Sequence, residues 1–112
     1  MVNETESKIA QLQLLEQNIQ NFLMQKQTFQ TQLMEVESAI EELEKSIGKT
    51  YKIIGTIMVV SEKENLKKDL ENRKEILELR IKTIEKQENQ LKEKATLLQT
   101  DVLKNIKKNE EK

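Results

Sequence analysis

Few residues in this chain can do covalent or acid–base chemistry. There is no His and no Cys, which removes the imidazole base, the thiol nucleophile, the thiolate metal site and the disulfide framework. Carboxylates and amines remain, 20 Asp+Glu against 19 Lys+Arg. The densest carboxylate group is Glu35, Glu37, Glu41, Glu42 and Glu44. Paired carboxylates act as general acid and base only in a pocket that sets their protonation apart. Strung along one polar stretch, these five read as a solvated face. Lys104, Lys107, Lys108 and Lys112 are offset by Glu110 and Glu111 and read as a solubilising tail. A net charge of −1 gives no field to hold a nucleic acid. The expectation is a protein that is not an enzyme and needs no metal or cofactor.

What the chain does carry is apolar patterning. Leu15, Phe22, Phe29, Val36 and Leu43 are seven apart, and Leu12, Ile19, Lys26, Leu33, Ile40 and Ile47 form a second row at the same spacing. Steps that alternate four and three make the apolar seam of a coiled coil. A second seam runs through Leu70, Leu77, Ile84, Leu91 and Leu98, with Ile81, Ala95 and Val102 alongside and Lys67, Lys74 and Glu88 in the same row as those three. Lys26 and Glu88 are polar intruders in opposite seams. Each reads first as a charge snorkelling to the surface, and second as a device that selects alignment.

The elements follow from these seams. Ala, Glu, Lys, Leu and Arg supply about half the chain, as in long helices, and there is no Pro to break them. The first helix is expected over about 4–47, capped by Asn3 and stopped by Gly48 in a left-handed conformation. The second is expected over about 62–106, opened by a Ser61–Glu64 capping box, with a charged tail at 107–112. Between them, GKTYKIIGTIMVVS is rich in β-branched residues around Gly55-Thr56 and predicts a β-hairpin over about 50–60. Its faces are read as Tyr51/Ile53/Ile57/Val59 and Ile54/Met58/Val60, apolar on both sides. A lone two-stranded hairpin is marginal in water, so these strands want others that the chain does not contain. The fold class is mainly α: a long antiparallel two-helix coiled coil connected by one β-hairpin that joins an oligomeric β-barrel. Setting Ile47 against Lys63 puts Leu33 opposite Leu77 and Lys26 opposite Ile84, within a turn of Glu85 and Glu88, one of which should partner it. No apolar run reaches the ~18 residues of a membrane span and the polar start is no signal peptide, so a soluble, intracellular protein is expected.

The stretch YKIIGTIMVVSEKENLKKDL resembles the strand–turn–strand–cap signature of prefoldin β-class subunits. Tyr51, Lys52, Gly55, Ile57 and Val59 stand at the matching places, and QKQTFQTQL and IKTIEKQENQLKEK are similar to the family's inner coil. The single hairpin is the β-class mark, since α subunits carry two. The resemblance implies a cytoplasmic, ATP-independent chaperone subunit. It implies a hexamer of two α and four β subunits, with Tyr51, Ile53, Ile54, Gly55, Ile57, Met58 and Val59 as the oligomerisation hairpin. It implies that the coil tips hold unfolded client proteins and hand them to a group II chaperonin, with no nucleic acid or membrane partner. The Lys-, Glu- and Ile-rich composition without Cys fits a thermophile, and the brevity of the chain fits an archaeal member.

Residues 9–34 carry only Glu16 and Lys26 as charges, and eight Gln fall there. Antiparallel pairing would bring this low-charge stretch beside the last turns of the second helix. The client-binding candidates are therefore Ile9, Leu12, Leu14, Leu97, Leu103 and Ile106, most of them off the seam, with Leu23 and Met24 evenly balanced between client contact and ordinary surface. A shared apolar patch at a free end calls for an occupant. The rival reading is a structural adaptor whose coil binds one fixed partner helix. That protein would show charge patterning continuing to the tip.

Overall fold

The computed structural model describes residues 3–110, and Glu111 and Lys112 of the expected tail lie outside the described residues. The order is α1 (Glu4–Lys45), β1 (Thr50–Ile54), β2 (Ile57–Ser61) and α2 (Lys63–Glu110). The chain packs as two compact units. One is formed by residues up to Lys26 with those from Thr83 onward, the other by Gln27–Lys82.

α1 begins as its sequence dictates. The Asn3 side-chain oxygen accepts the Glu6 N–H at 2.7 Å and its carbonyl accepts the Ser7 N–H at 3.1 Å, while Glu4 and Glu6 sit in the first turn, where the helix dipole favours anions. Its end differs from expectation. The helix stops at Lys45, two residues early. Ser46 N–H and Oγ both bond the Leu43 carbonyl, at 3.2 and 2.8 Å. Lys63 Nζ then reaches the carbonyls of Glu44 and Ser46, each at 3.2 Å. With the last carbonyls satisfied by side chains, Gly48 is not needed as the cap, although it does take a left-handed φ of 97°. Ile47 leaves the seam and is fully exposed, so Lys63 faces backbone carbonyls and not Ile47.

The hairpin is antiparallel, with Ile54 opposite Ile57 and Tyr51 opposite Val60. Gly55 has φ 62° and no described non-glycine residue has positive φ, the pattern of a type II′ turn. The two-residue turn corrects the expected faces. Directly paired residues share a side, so one face is Tyr51, Ile53, Met58 and Val60, and the other Lys52, Ile54, Ile57 and Val59.

α2 starts from Glu62, whose carbonyl accepts the Leu66 N–H at 3.0 Å. Ser61 stays in β2, its carbonyl accepting the Thr50 hydroxyl at 2.6 Å, so the expected capping box gives way to the end of a strand. The helix also continues past Ile106 to Glu110. Lys107 and Lys108 in the last turn suit the negative end of the dipole, and nothing there breaks a helix.

In the Gln27–Lys82 unit the two helical segments run antiparallel. Lys67 pairs with Glu44 at 3.5 Å, and Arg80 lies 5.6 Å over the Phe29 ring. Val36 and Leu77 are its buried side chains. In the other unit, Lys8 reaches Asp101 at 4.0 Å and Lys26 reaches Glu88 at 3.2 Å, again in opposite chain order, around buried Ile84, Glu88 and Val102. The rest of each heptad row is half-buried, as a single two-helix seam requires.

Candidate functional site

The hairpin is the most exposed apolar element of the chain. Tyr51, Ile53, Ile54, Ile57, Met58, Val59 and Val60 range from 42% to 69% exposed. Both faces are therefore uncovered, as the β-branched composition predicts for strands that lack neighbours. The neck, where the strands meet the last turn of α1 and the first turns of α2, is tied by Lys52 to Asp69 at 3.7 Å. Tyr51, Ile53 and Met58 line a groove with Leu43, Leu66 and Leu70 of the adjoining helices. One hairpin face thus looks into a groove over the coil, and the other, with Ile54, Ile57 and Val59, looks away from it.

The client-binding candidates sort into three groups. Leu14 and Leu97, 59% and 69% exposed, line one groove with the seam residues Leu15 and Leu98, flanked by Gln11 and Lys94. Ile9, Leu103 and Ile106 are exposed in the same unit but do not line that groove. Leu12 is half-buried in its heptad row. Leu23 is half-buried and Met24 exposed. Sequence reasoning passed over three further exposed apolar residues of the Gln27–Lys82 unit, Met34, Ile76 and Leu79. The off-seam criterion that selected Leu14 would have found them too.

The carboxylates of α1 behave as a solvated face. Glu41 pairs with Lys45 at 3.2 Å and Glu44 with Lys67 at 3.5 Å, both carboxylates exposed and Lys67 half-buried. Glu88 is different. It is buried, with Oε1 2.7 Å from Lys92 Nζ and Oε2 3.2 Å from Lys26 Nζ. The Lys92 contact is a hydrogen bond, while Lys26 meets Oε2 as an ion pair outside hydrogen-bond geometry. The Lys92 hydrogen bond holds the Glu88 carboxyl below the usual glutamate range. Burial opposes this, and the pull of Lys26 adds to it. Among the described residues no group of three acidic side chains could hold a metal ion, and no helix is long and apolar enough to cross a membrane.

Two long helices joined by a strand pair that is apolar on both faces define a coiled-coil protein whose recognition surfaces are bare hydrophobic elements. A family model described as prefoldin subunit matches residues 6–109, and the chain belongs to that family. The crystal structure of the prefoldin beta subunit from Thermococcus strain KS-1 is similar, with a TM-score of 0.87 and 30% sequence identity over 94% of this chain and 96% of that one. No curated protein sequence matches the chain. The single hairpin and this likeness place it in the β class, as a prefoldin chaperone subunit.

Proposed function

We propose that the chain is a non-enzymatic, ATP-independent holdase subunit of the cytoplasm. In this reading it assembles through its hairpin with prefoldin α-class subunits, in a hexamer of two α and four β. It captures unfolded proteins on the apolar residues around its termini and passes them to a group II chaperonin. The observation that carries the proposal is the hairpin, seven apolar side chains exposed on two faces. Strands of this kind are an aggregation hazard unless other strands cover them, and closure into a barrel removes every edge. Leu14, Leu97, Leu103 and Ile106, exposed off the seam, support client capture. Contacts from such residues are weak and non-directional, which suits unfolded chains of any sequence.

The test is suppression of citrate synthase aggregation by the chain with an α subunit, in the absence of nucleotide. Protection without ATP is expected. No protection, with an intact hetero-oligomer on a sizing column, overturns the holdase reading and leaves the assembly reading standing.

A further inference from the structure

Glu88 is the charged side chain buried among the described residues, and it stands where the heptad calls for an aliphatic. Its side chain is 5% exposed and that of Lys26 is 18% exposed, so neither charge snorkels freely to water. The two come from opposite segments of one unit and meet at 3.2 Å, and Lys92 completes the cluster one turn along α2. The seams on either side are generic. Ile19 and Leu33 flank Lys26 by seven residues in its row, and Ile81 and Ala95 flank Glu88 in its own. Aliphatic rows of this kind fit equally well after a slip of one heptad. A slip in one direction sets Lys26 against Ile81 and Glu88 against Ile19. The opposite slip sets Lys26 against Ala95 and Glu88 against Leu33. In both, the Lys26–Glu88 contact across the seam is lost and each charge is set against an aliphatic position, which leaves the pair without its mutual compensation.

We propose that the Lys26–Glu88–Lys92 cluster is a register lock, selecting one alignment of the paired segments of this unit over those offset by seven residues. The neck ties its own register through Lys63 and Lys67. Across the residues up to Lys26 and those from Thr83 onward, the cluster adds a second selection of the alignment that the aliphatic pattern alone leaves degenerate. This lock is independent of the client-holding reading.

The chain has no cysteine, so introduced pairs report register without background. Leu15 and Leu98 line one groove, and Leu15→Cys with Leu98→Cys reports the native alignment. Leu15→Cys with Leu91→Cys, and Leu15→Cys with Asn105→Cys, report the two slipped ones. With the cluster intact, only the 15–98 pair is expected to oxidise efficiently. In the background Lys26→Leu with Glu88→Leu, the slipped pairs are expected to rise clearly above background while helix content is unchanged, the Lys63 and Lys67 contacts still favouring the native alignment. Exchanging the charges of the whole cluster, Lys26→Glu with Glu88→Lys and Lys92→Glu, keeps opposite charges across the seam and along α2 and should restore the single register. If the double-leucine background still oxidises only the 15–98 pair, or if the exchanged cluster leaves the slipped crosslinks in place, the lock is overturned.

Discussion

A carboxylate in a hydrophobic seam has to be held by its partners, and Glu88 has two. Removing a buried ion pair as a whole is often neutral or stabilising, whereas removing one member leaves an uncompensated charge. Glu88→Gln is therefore expected to destabilise the chain near pH 7 by about 2 kcal/mol, less than for a fully buried pair because Lys92 is half exposed and can return to water. The pH dependence has a definite sign. Folding lowers the Glu88 pKa, so its stabilisation is fully present above the unfolded value of about 4.3 and is lost as pH falls through the lower folded value. The melting-temperature gap between the native chain and Glu88→Gln should be constant from pH 7 to about 5 and narrow progressively below about 4.3, as pH falls through the lower folded value. A gap that persists unchanged to pH 3 would mean that Glu88 is not held as a carboxylate. Much of this was legible in the sequence. Lys26 stands out as a charge in an aliphatic row, and the heptad points across to Glu85 or Glu88. The choice between them follows from position, since Glu88 lies on the seam row and Glu85 does not. The depth of burial was not legible, because it depends on Lys26 reaching four residues past its geometric opposite, Ile84.

At the scale of elements, the hairpin and its neck carry different information. Ile54, Ile57 and Val59 share the face turned away from the helical groove. Ile57→Lys with Val59→Lys places two charges on that face. In the proposed barrel this removes about 2 kcal/mol of burial per side chain before any penalty for the charges. The large assembly should be lost on a sizing column while circular dichroism retains the helical signal. A double mutant that still runs as the full assembly would exclude the barrel. The strands and their turn were readable from β-branched runs around Gly55-Thr56. The face parity was not: the expected faces run on across Gly55 as a single centre, whereas Gly55-Thr56 is a two-residue turn, and that one step moves every side chain of one strand to the other face. The end of α1 was misplaced for a different reason. The period carries on to Ile47, but Lys63, far along the chain, bonds the carbonyls at Glu44 and Ser46, and no local pattern announces that. Within the same unit the paired segments predict that Leu33→Cys with Leu77→Cys crosslinks inside one chain. A bridge that forms only between chains would mean that the seams exchange partners.

For the whole molecule, the question is which exposed surface holds clients once the hairpin is occupied by assembly. Two groups of off-seam residues remain in the unit that carries the termini, and they are separable. Leu14 and Leu97 share a groove with Leu15 and Leu98, whereas Ile9, Leu103 and Ile106 lie outside it. A groove with seam leucines as its floor gives an aliphatic side chain more contact than single residues on an open helix face. Helix ends, in contrast, open cheaply and adapt to irregular chains. Each subunit would bind weakly, and several on one assembly would supply avidity, so a modest loss per subunit becomes a large loss of protection. Leu14→Ser with Leu97→Ser is therefore expected to leave assembly and helix content intact and to reduce protection of an unfolding client several-fold. Deleting residues 1–9 together with 103–112 removes the other group and spares the groove, and it should also lower protection if frayed ends contribute. The two variants divide the surface. Loss in the groove variant alone assigns capture to Leu14 and Leu97, and loss in the truncation alone assigns it to the ends. Full protection by both, in an intact assembly, would sink the terminal site and move client contact inward, toward Leu23 and Met24 or to Met34, Ile76 and Leu79.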